Sequence, residues 1–483
     1  MYDNTSYTPR RLIRYGVFLI LAVLVLVAGW FALHHGGIKV NTKSSNAEIS
    51  VAPEKDQNSP SATATGNSLF SIVKTGAYIV TVKDGPKQTK TAVNVSLFKV
   101  SEVTLTPPEV GFSEAVTNIS TPSFAVSSSS LSLLDSTEDE LASVNSNNSY
   151  THSDNTISYE SAVWQKAGEG YAVGRRSDTN DRVLVKITGN KPQPITTPKP
   201  ITAGTYLAFD VTASGDFYLL QDGELFSSKG DGNYQSKGNT NKEASILSVN
   251  NDRVAFLYRN SEEQCDIQFL KLSDKSMTKR AVECIQNPSY TYSASWTADD
   301  KKLALTTGIS LEILDANLST KTTVPDRAAA HPVWLNNDTL IYTSENNVWS
   351  YNTSTNTSSV VATTPKYVSV QSLKKSDDAE TLYFTGSADN LLTLYRIQKQ
   401  GNSLSDTQKI GESNMQTLSK LCHVRYVNFT KIQLVLQTAE STRAECTNDA
   451  KNYLSTIGVP LDSFQYDIRE EFGYTDYATE PLD

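Results

Sequence analysis

Ser295-Trp296-Thr297-Ala298-Asp299-Asp300-Lys301-Lys302-Leu303-Ala304-Leu305 sets a bulky apolar residue before a polar turn and an apolar strand after it. The same order recurs along the chain. It runs from Val163-Trp164 to Val173, from Asp210-Val211 to Leu220 and from Ser248-Val249 to Leu257. It returns from Val333-Trp334 to Tyr342 and from Ser372-Leu373 to Phe384. The bulky positions 164, 211, 249, 296, 334 and 373 lie 38–47 residues apart. Each copy is followed by a further strand, such as Ser310–Leu314 or Asn347–Tyr351, and a short polar hairpin. A unit of about 40 residues and four strands is the period of a β-propeller blade. One twisted four-stranded sheet cannot bury both faces alone; stacking sheets around a ring does so and protects the edges. Trp164, Trp296 and Trp334 are expected between blades, with ligand stacking as the lesser reading. Six copies are visible from about 160 onward. A seventh is expected from Val424–Val427 and Lys431–Leu436, joined by strands near 124–134.

The copy Ala294–Leu305 resembles the WD40-like repeat of TolB-type (PD40-type) propellers. That repeat runs Trp-Ser-Pro-Asp-Gly-Lys before an apolar strand. Here Thr297-Ala298-Asp299-Asp300 replaces Ser-Pro-Asp-Gly, and the other copies match in pattern more than in residues. The resemblance implies a fold and no particular activity.

Residues 15–33, from Tyr15 to Leu33, carry no charge. As a helix they span roughly 28 Å, close to the hydrocarbon thickness of a bilayer, and a helix satisfies its own backbone groups in lipid. Arg10, Arg11 and Arg14 precede the run, and Tyr15 and Trp30 sit near its two ends. Basic residues on the N-terminal side predict a cytoplasmic N-terminus and an exported remainder. We expect residues 1–14 in the cytoplasm and a transmembrane helix over 15–35, which makes the membrane the first partner and the plasma membrane the location. The alternative is a cleaved signal peptide, whose apolar core is ordinarily shorter.

Beyond the anchor, residues 38–107 read as a small β-sandwich-like domain. Ile38–Val40, Ala47–Val51, Leu69–Val73, Ala77–Val82, Thr91–Val95 and Val103–Leu105 are strand-like, and Lys83-Asp84-Gly85-Pro86 is a turn signal. The polar stretch from Lys55 to Gly66 reads as a flexible loop. Gly76–Val82, Thr91–Val95 and Val103–Leu105 resemble the second half of PEGA-type surface domains, although the Pro-Glu-Gly-Ala signature is missing. A generic immunoglobulin-like piece is the other reading. Residues 108–158 read as a polar linker with short candidate strands, and 159–437 as the six- or seven-bladed propeller. Residues 438–483 read as an α/β tail, with a helix over 440–457, a strand at 464–468 and an acidic end. The fold class is thus mainly β.

The chain has 43 basic and 52 acidic residues, a balance that gives no support to nucleic-acid binding. Its four cysteines, Cys265, Cys284, Cys422 and Cys446, are an even set in an exported region and suggest disulfides. Ser273-Asp274-Lys275-Ser276 reads as a turn, and counting outward from its centre sets Cys265 opposite Cys284. Cys422–Cys446 would pair by elimination.

No catalytic motif stands out: there is no GxSxG, HExxH, P-loop or GxGxxG. His34 and His35 abut the apolar run, and His331 precedes a blade strand in Ala330-His331-Pro332. His423 adjoins Cys422, and His152 has no partner motif. Asp299-Asp300 and Asp377-Asp378 are paired carboxylates in blade turns, read as solvated turns before acid–base or cation chemistry. Asp222-Gly223 and Asp231-Gly232 read as hairpin turns. No catalytic, cofactor or metal residues are assigned and no cofactor is expected. The resulting expectation is a membrane-anchored binding or scaffolding module at the cell envelope, with a protein or glycan partner. The alternative is a hydrolase with its site at the propeller channel.

Overall fold

The computed structural model describes residues 20–21, 34–119 and most of 123–398, together with 426–429, 433–438, 448–449, 452–453 and 465–470. Contacts divide the chain into two units, residues 1–108 and 109–483. The apolar run expected to cross a membrane lies outside the described residues except for Ile20 and Leu21, which are helical. Among the described residues no helix is long and apolar enough to cross a membrane. The expected boundary at 35 moves, because His35 already opens a strand.

The first unit holds β1 (His35–Asn41), β2 (Glu48–Pro53), β3 (Ala62–Thr65), β4 (Ser68–Lys74), β5 (Gly76–Asp84), β6 (Lys87–Val95) and β7 (Val100–Thr104). One sheet has the order β4-β1-β7, antiparallel on one side of β1 and parallel on the other. The second runs β6-β5-β2-β3. Strand alternation explains both: Ile38 and Val40 point inward while Lys39 points out, the period-two pattern of a half-buried strand. The core gathers Ile38, Val40, Ile49, Val51, Val80 and Val82 from the two sheets. Gly36 has no room for a side chain, since a β-carbon there would collide with the Ser96 carbonyl. The stretch expected as a flexible loop carries β3, which pairs with β2 from Glu48↔Thr65 to Val51↔Ala62. Its alternation of Ala and Thr is strand-compatible but too weakly apolar to announce itself.

The second unit begins with β8 (Phe112–Ile119) and continues through a series of four-stranded antiparallel sheets. The first comprises β9 (Phe124–Val126), β10 (Ser130–Asp135), β11 (Glu140–Asn145) and β12 (Tyr150–His152). The second comprises β13 (Ile157–Lys166), β14 (Glu169–Arg176), β15 (Arg182–Thr188) and β16 (Lys191–Ile195). The third is β17 (Leu207–Val211), β18 (Phe217–Gln221), β19 (Glu224–Ser228) and β20 (Gln235–Asn239). The fourth is β21 (Ser245–Val249), β22 (Arg253–Arg259), β23 (Gln264–Lys271) and β24 (Met277–Glu283). The fifth is β25 (Ser293–Trp296), β26 (Lys302–Thr306), β27 (Leu311–Asp315) and β28 (Lys321–Thr323). The sixth is β29 (Ala330–Trp334), β30 (Thr339–Ser344), β31 (Asn347–Asn352) and β32 (Thr357–Thr363). The seventh has β33 (Ser369–Lys375), β34 (Leu382–Ala388) and β35 (Leu391–Gln398), and takes its fourth strand from β8. Residues 112–119 thus pair with the last strand of the seventh sheet, from Phe112↔Gln398 to Ile119↔Leu392.

The first strands of successive sheets touch one another, so they form an inner wall. Apolar clusters fill the seams. Leu134 and Leu141 meet Ile157, Ala172 and Val185 between the first two sheets. Tyr171 and Phe217 stack at 4.0 Å in the next seam. Further clusters link the third sheet to the fourth, the fourth to the fifth, the fifth to the sixth and the sixth to the seventh. A last cluster, with Ile119, Phe124, Leu133, Tyr383 and Leu394, joins the seventh sheet back to the first. Each large apolar side chain so buried is worth about 1.5–3 kcal/mol. Sheets stacked face to face around a ring make a β-propeller.

The remaining strands lie elsewhere. β36 (Tyr426–Phe429) and β37 (Gln433–Thr438) pair with each other, and β38 (Gln465–Glu470) adds in parallel to β37. They form their own three-stranded sheet, so the expected seventh repeat from 424–436 is corrected. The residues taken for a linker with short strands supply a complete sheet instead, and β8 completes another. Of the expected helix over 440–457, residues 448–449 and 452–453 are described and helical.

Candidate functional site

The inner wall is where residues from several sheets meet, and it is built by one recurring device. The residue just before each bulky repeat position is Val163, Asp210, Ser248, Ser295, Val333 or Ser372. Asp210 Oδ2 accepts a hydrogen bond from Val249 N at 3.0 Å, across the seam between third and fourth sheets. Trp296 Nε1 donates to the Ser248 carbonyl at 3.4 Å and Trp334 Nε1 to the Ser295 carbonyl at 2.9 Å, across the next two seams. Lys375 Nζ donates to the Trp334 carbonyl at 3.2 Å. Lys374 Nζ donates to the Phe124 carbonyl at 2.8 Å and closes the seam between the seventh and first sheets. Ser123 Oγ donates to the Ala162 carbonyl, and Gln165 Nε2 to the Ala213 carbonyl. Every seam therefore has a side chain of one sheet bonded to the backbone of the next.

Asp210 and Lys374 are the charged pair of this wall. Both side chains keep partial solvent contact while lying deep in the unit, as groups facing the centre of a ring do. Burial pushes the Asp210 carboxyl up to about 6, against the pull of the Val211 and Val249 amides and of Lys374. Burial also lowers the Lys374 ammonium to about 8, with the Asp210 charge opposing the drop. Asp210 Oδ1 takes the Val211 amide at 2.8 Å, so both carboxylate oxygens are engaged by backbone. The sequence reading passed over both residues. The usable signal was a charge at repeat positions where other copies carry Ser, Val, Gln, Thr, Asn or Leu.

His331 sits at the start of the sixth sheet with φ of 52°, in the irregular pairing between Ala330 and Val333. Its Nε2 lies 3.1 Å from the Val370 carbonyl, and burial lowers its pKa. A neutral ring donating to that carbonyl is a packing role, and it adds a second contact across the sixth seam.

Of the turn carboxylates Asp299 is tied within its own turn, whereas Asp377 reaches other sheets. Asp299 Oδ1 accepts from Thr297 Oγ1 and from Lys301 N. Asp377 Oδ2 accepts from Ala167 N at 3.1 Å, and Asp377 N donates to the Val126 carbonyl. Asp378 lies outside the described residues. Asp222 and Gly223 take φ of 49° and 85°, the left-handed pair of a two-residue hairpin. Asp231 Oδ1 accepts from Asn233 N in the turn after β19. Trp296 and Trp334 pack in the seams, and Trp164 lies against the cluster between the first and second sheets. His34 precedes β1 and His35 opens it. The side chain of His152, at the end of β12, and all of His423 lie outside the described residues.

Cys265 is buried in the seam between the fourth and fifth sheets and is disulfide-bonded. The expected register is corrected: Cys265 stands opposite Val282 and not opposite Cys284. Lys271 N closes the turn onto the Ser276 carbonyl, and Lys275 takes φ of 58°, which shifts the centre of the hairpin by one residue. Cys284, Cys422 and Cys446 lie outside the described residues. Among the described residues no group of three or more His, Cys, Asp or Glu is placed to hold a metal ion.

No family model and no curated protein matches the chain by sequence. Solved structures with similar folds include a chain of the mitotic checkpoint complex, at 12% identity over 60% of this chain and 95% of that one, with a TM-score of 0.41. The Dos1 propeller shares 9% identity over 76% of this chain and 95% of its own, at a TM-score of 0.40. YCF48 from Cyanidioschyzon merolae shares 9% over 60% and 98%, at 0.35. Likenesses at these scores carry no functional argument; the propeller reading rests on the sheets and seams.

Proposed function

We propose that this chain is a membrane-anchored binding or scaffolding module of the cell envelope, built on a closed seven-bladed propeller. The observation that carries the binding reading is the commitment of the central ionisable groups. Asp210, Lys374 and His331 each meet backbone partners in neighbouring sheets, so their chemistry goes into holding the ring. A ring held this way presents rigid loops at its rims, where recognition by propellers commonly resides. The partner is a protein or a glycan. The hydrolase alternative lacks a comparable supporting observation.

The anchor is the uncharged run 15–33 with three arginines before it, which favours a cytoplasmic N-terminus and an exported C-terminal part. On this reading Cys265 pairs with Cys284 and Cys422 with Cys446. The repeat family is TolB-like, and the first unit is a PEGA-like or immunoglobulin-like spacer. In-cell crosslinking of the exported part, followed by identification of what is captured, tests the function. A reproducible protein or glycan partner is expected. Capture of none, together with turnover of an ester, peptide or glycoside by the purified chain, would replace binding with hydrolysis.

A further inference from the structure

The outer face of the β4-β1-β7 sheet grades from apolar to polar along its strands. Ile72, Gly37 and Val100 are register partners in one row. Phe70, Lys39 and Glu102 form the next row, and Ser68, Asn41 and Thr104 the one after. Phe70, Ile72 and Val100 are 60%, 56% and 57% exposed. A side-chain carbon at Gly37 would stand 3.0 Å from Val100 Cγ2 and 3.5 Å from Phe70 Cε2, so the two side chains lean over that glycine from either side. Lys39 is bonded to Glu102 at 2.8 Å, which gives the second row its charged character.

The apolar end is also the end where the chain enters. Thr75 N donates to the His34 carbonyl and Gly37 N to the Lys99 carbonyl, so the end of β4 and the turn before β7 both flank the entry of β1. That turn exposes Leu97 and Phe98, the latter at 69% and with φ of 55°. Lys74 and Lys99 are exposed at the same end. The uncharged run in the sequence stops at Leu33, two residues before β1. Two residues reach at most about 7 Å, and the headgroup layer on each side of a bilayer is of similar depth. A sheet tied so closely to an inserted helix cannot stand clear of the lipid surface. Exposed Phe, Ile and Val beside lysines are what an anionic interface accepts.

We propose that the entry end of this sheet seats on the lipid surface. Phe98, Ile72 and Val100 lie at the boundary of headgroups and acyl chains, and Lys74 and Lys99 lie among anionic headgroups. The proposal rests on the anchor reading above and adds a second, lateral contact with the bilayer that fixes how the first unit stands on it.

The test uses the full chain in vesicles of phosphatidylcholine and phosphatidylglycerol. Resistance to alkaline extraction reads the anchor separately. The emission of Phe98→Trp minus that of the native chain reads the contact, with Thr104→Trp, exposed at the polar end of the same sheet, as control. The expected result is a chain retained after extraction and a blue-shifted Phe98→Trp signal. Lipids brominated near the top of the acyl chain should quench most of that signal and leave the Thr104→Trp signal unchanged. A retained chain whose Phe98→Trp signal is neither shifted nor quenched overturns the seating and leaves the anchor standing. A shifted but unquenched signal means that protein covers the patch, and also overturns it. A chain released by extraction sinks the anchor reading and the inference with it.

Discussion

Lys374 Nζ donates to the Phe124 carbonyl at 2.8 Å while standing 5.3 Å above the centroid of the Phe124 ring. One side chain from the seventh sheet thus holds both the backbone and the ring of a residue in the first. Lys374→Met removes these contacts and strips Asp210 of the positive charge that stabilises its ionised form. We expect a loss of about 2 kcal/mol in urea unfolding, in the range for a hydrogen bond made by a charged group. In the double variant with Asp210→Asn the losses should be less than additive, because the second change removes the orphaned charge. Strict additivity would show that the two residues do not communicate.

The pH dependence has a defined sign. Asp210 is raised from its ordinary value of 3.8 to about 6 by burial. Between those values the folded chain holds a proton that the unfolded chain has released. Its contribution to stability is fully present below the unfolded value and is lost as pH rises through the folded one. The native chain should therefore lose of order 2 kcal/mol between pH 4 and 6 relative to Asp210→Asn. Parallel stability–pH curves for the two proteins would contradict this.

The tryptophan latches should rank by geometry. Trp334 Nε1 reaches the Ser295 carbonyl at 2.9 Å, whereas Trp296 Nε1 reaches Ser248 only at 3.4 Å. Replacing either by Phe retains most of the apolar volume and removes the donor. Trp334→Phe should cost about 1 kcal/mol from the hydrogen bond, and Trp296→Phe less. Denaturation midpoints at matched slope decide the order.

The strand that completes the seventh sheet is held at its edge by Glu114. Its Oε2 accepts from Arg396 Nε and Nη2 and from Gln398 Nε2. Glu114→Ala should cost about 1 kcal/mol, since the cluster is partly exposed. Amide exchange should quicken over residues 112–119 before it changes in the second to fifth sheets. Uniform acceleration would mean that β8 is not a separable element.

What the sequence disclosed followed the strength of the repeat. Copies anchored by Trp164, Trp296 and Trp334 were legible because a large ring, a polar turn and an apolar strand return at near-constant spacing. The first sheet hid because β9 is only Phe124-Ala125-Val126 and its neighbours are serine-rich. The strand β8 hid for a different reason: its partner β35 is remote in the chain, and pairing across such a distance leaves no local pattern. The central pair was missed because Asp210 and Lys374 each look like an ordinary turn-flanking charge. Only the ring brings them into one neighbourhood. Ser295 shows what that position does elsewhere: its carbonyl accepts from Trp334, while Asp210 performs the equivalent bridging with a carboxylate.

Glu114 and Arg396 are 282 residues apart in the chain, and the seventh sheet has no fourth strand until they meet. The first strand of this unit must wait for β35, the last strand of the ring. Contacts of such long range are slow to form because the intervening chain must be closed first. Until then β35 offers a bare edge, and the seam between the seventh and first sheets stands open to other chains. A chain halted midway through synthesis would therefore be left as a sticky open arc, and so a preferred client for chaperones. The completed chain gains kinetic protection from the same arrangement, because unravelling must begin by pulling apart the first and last strands of the ring, which emerged far apart in time.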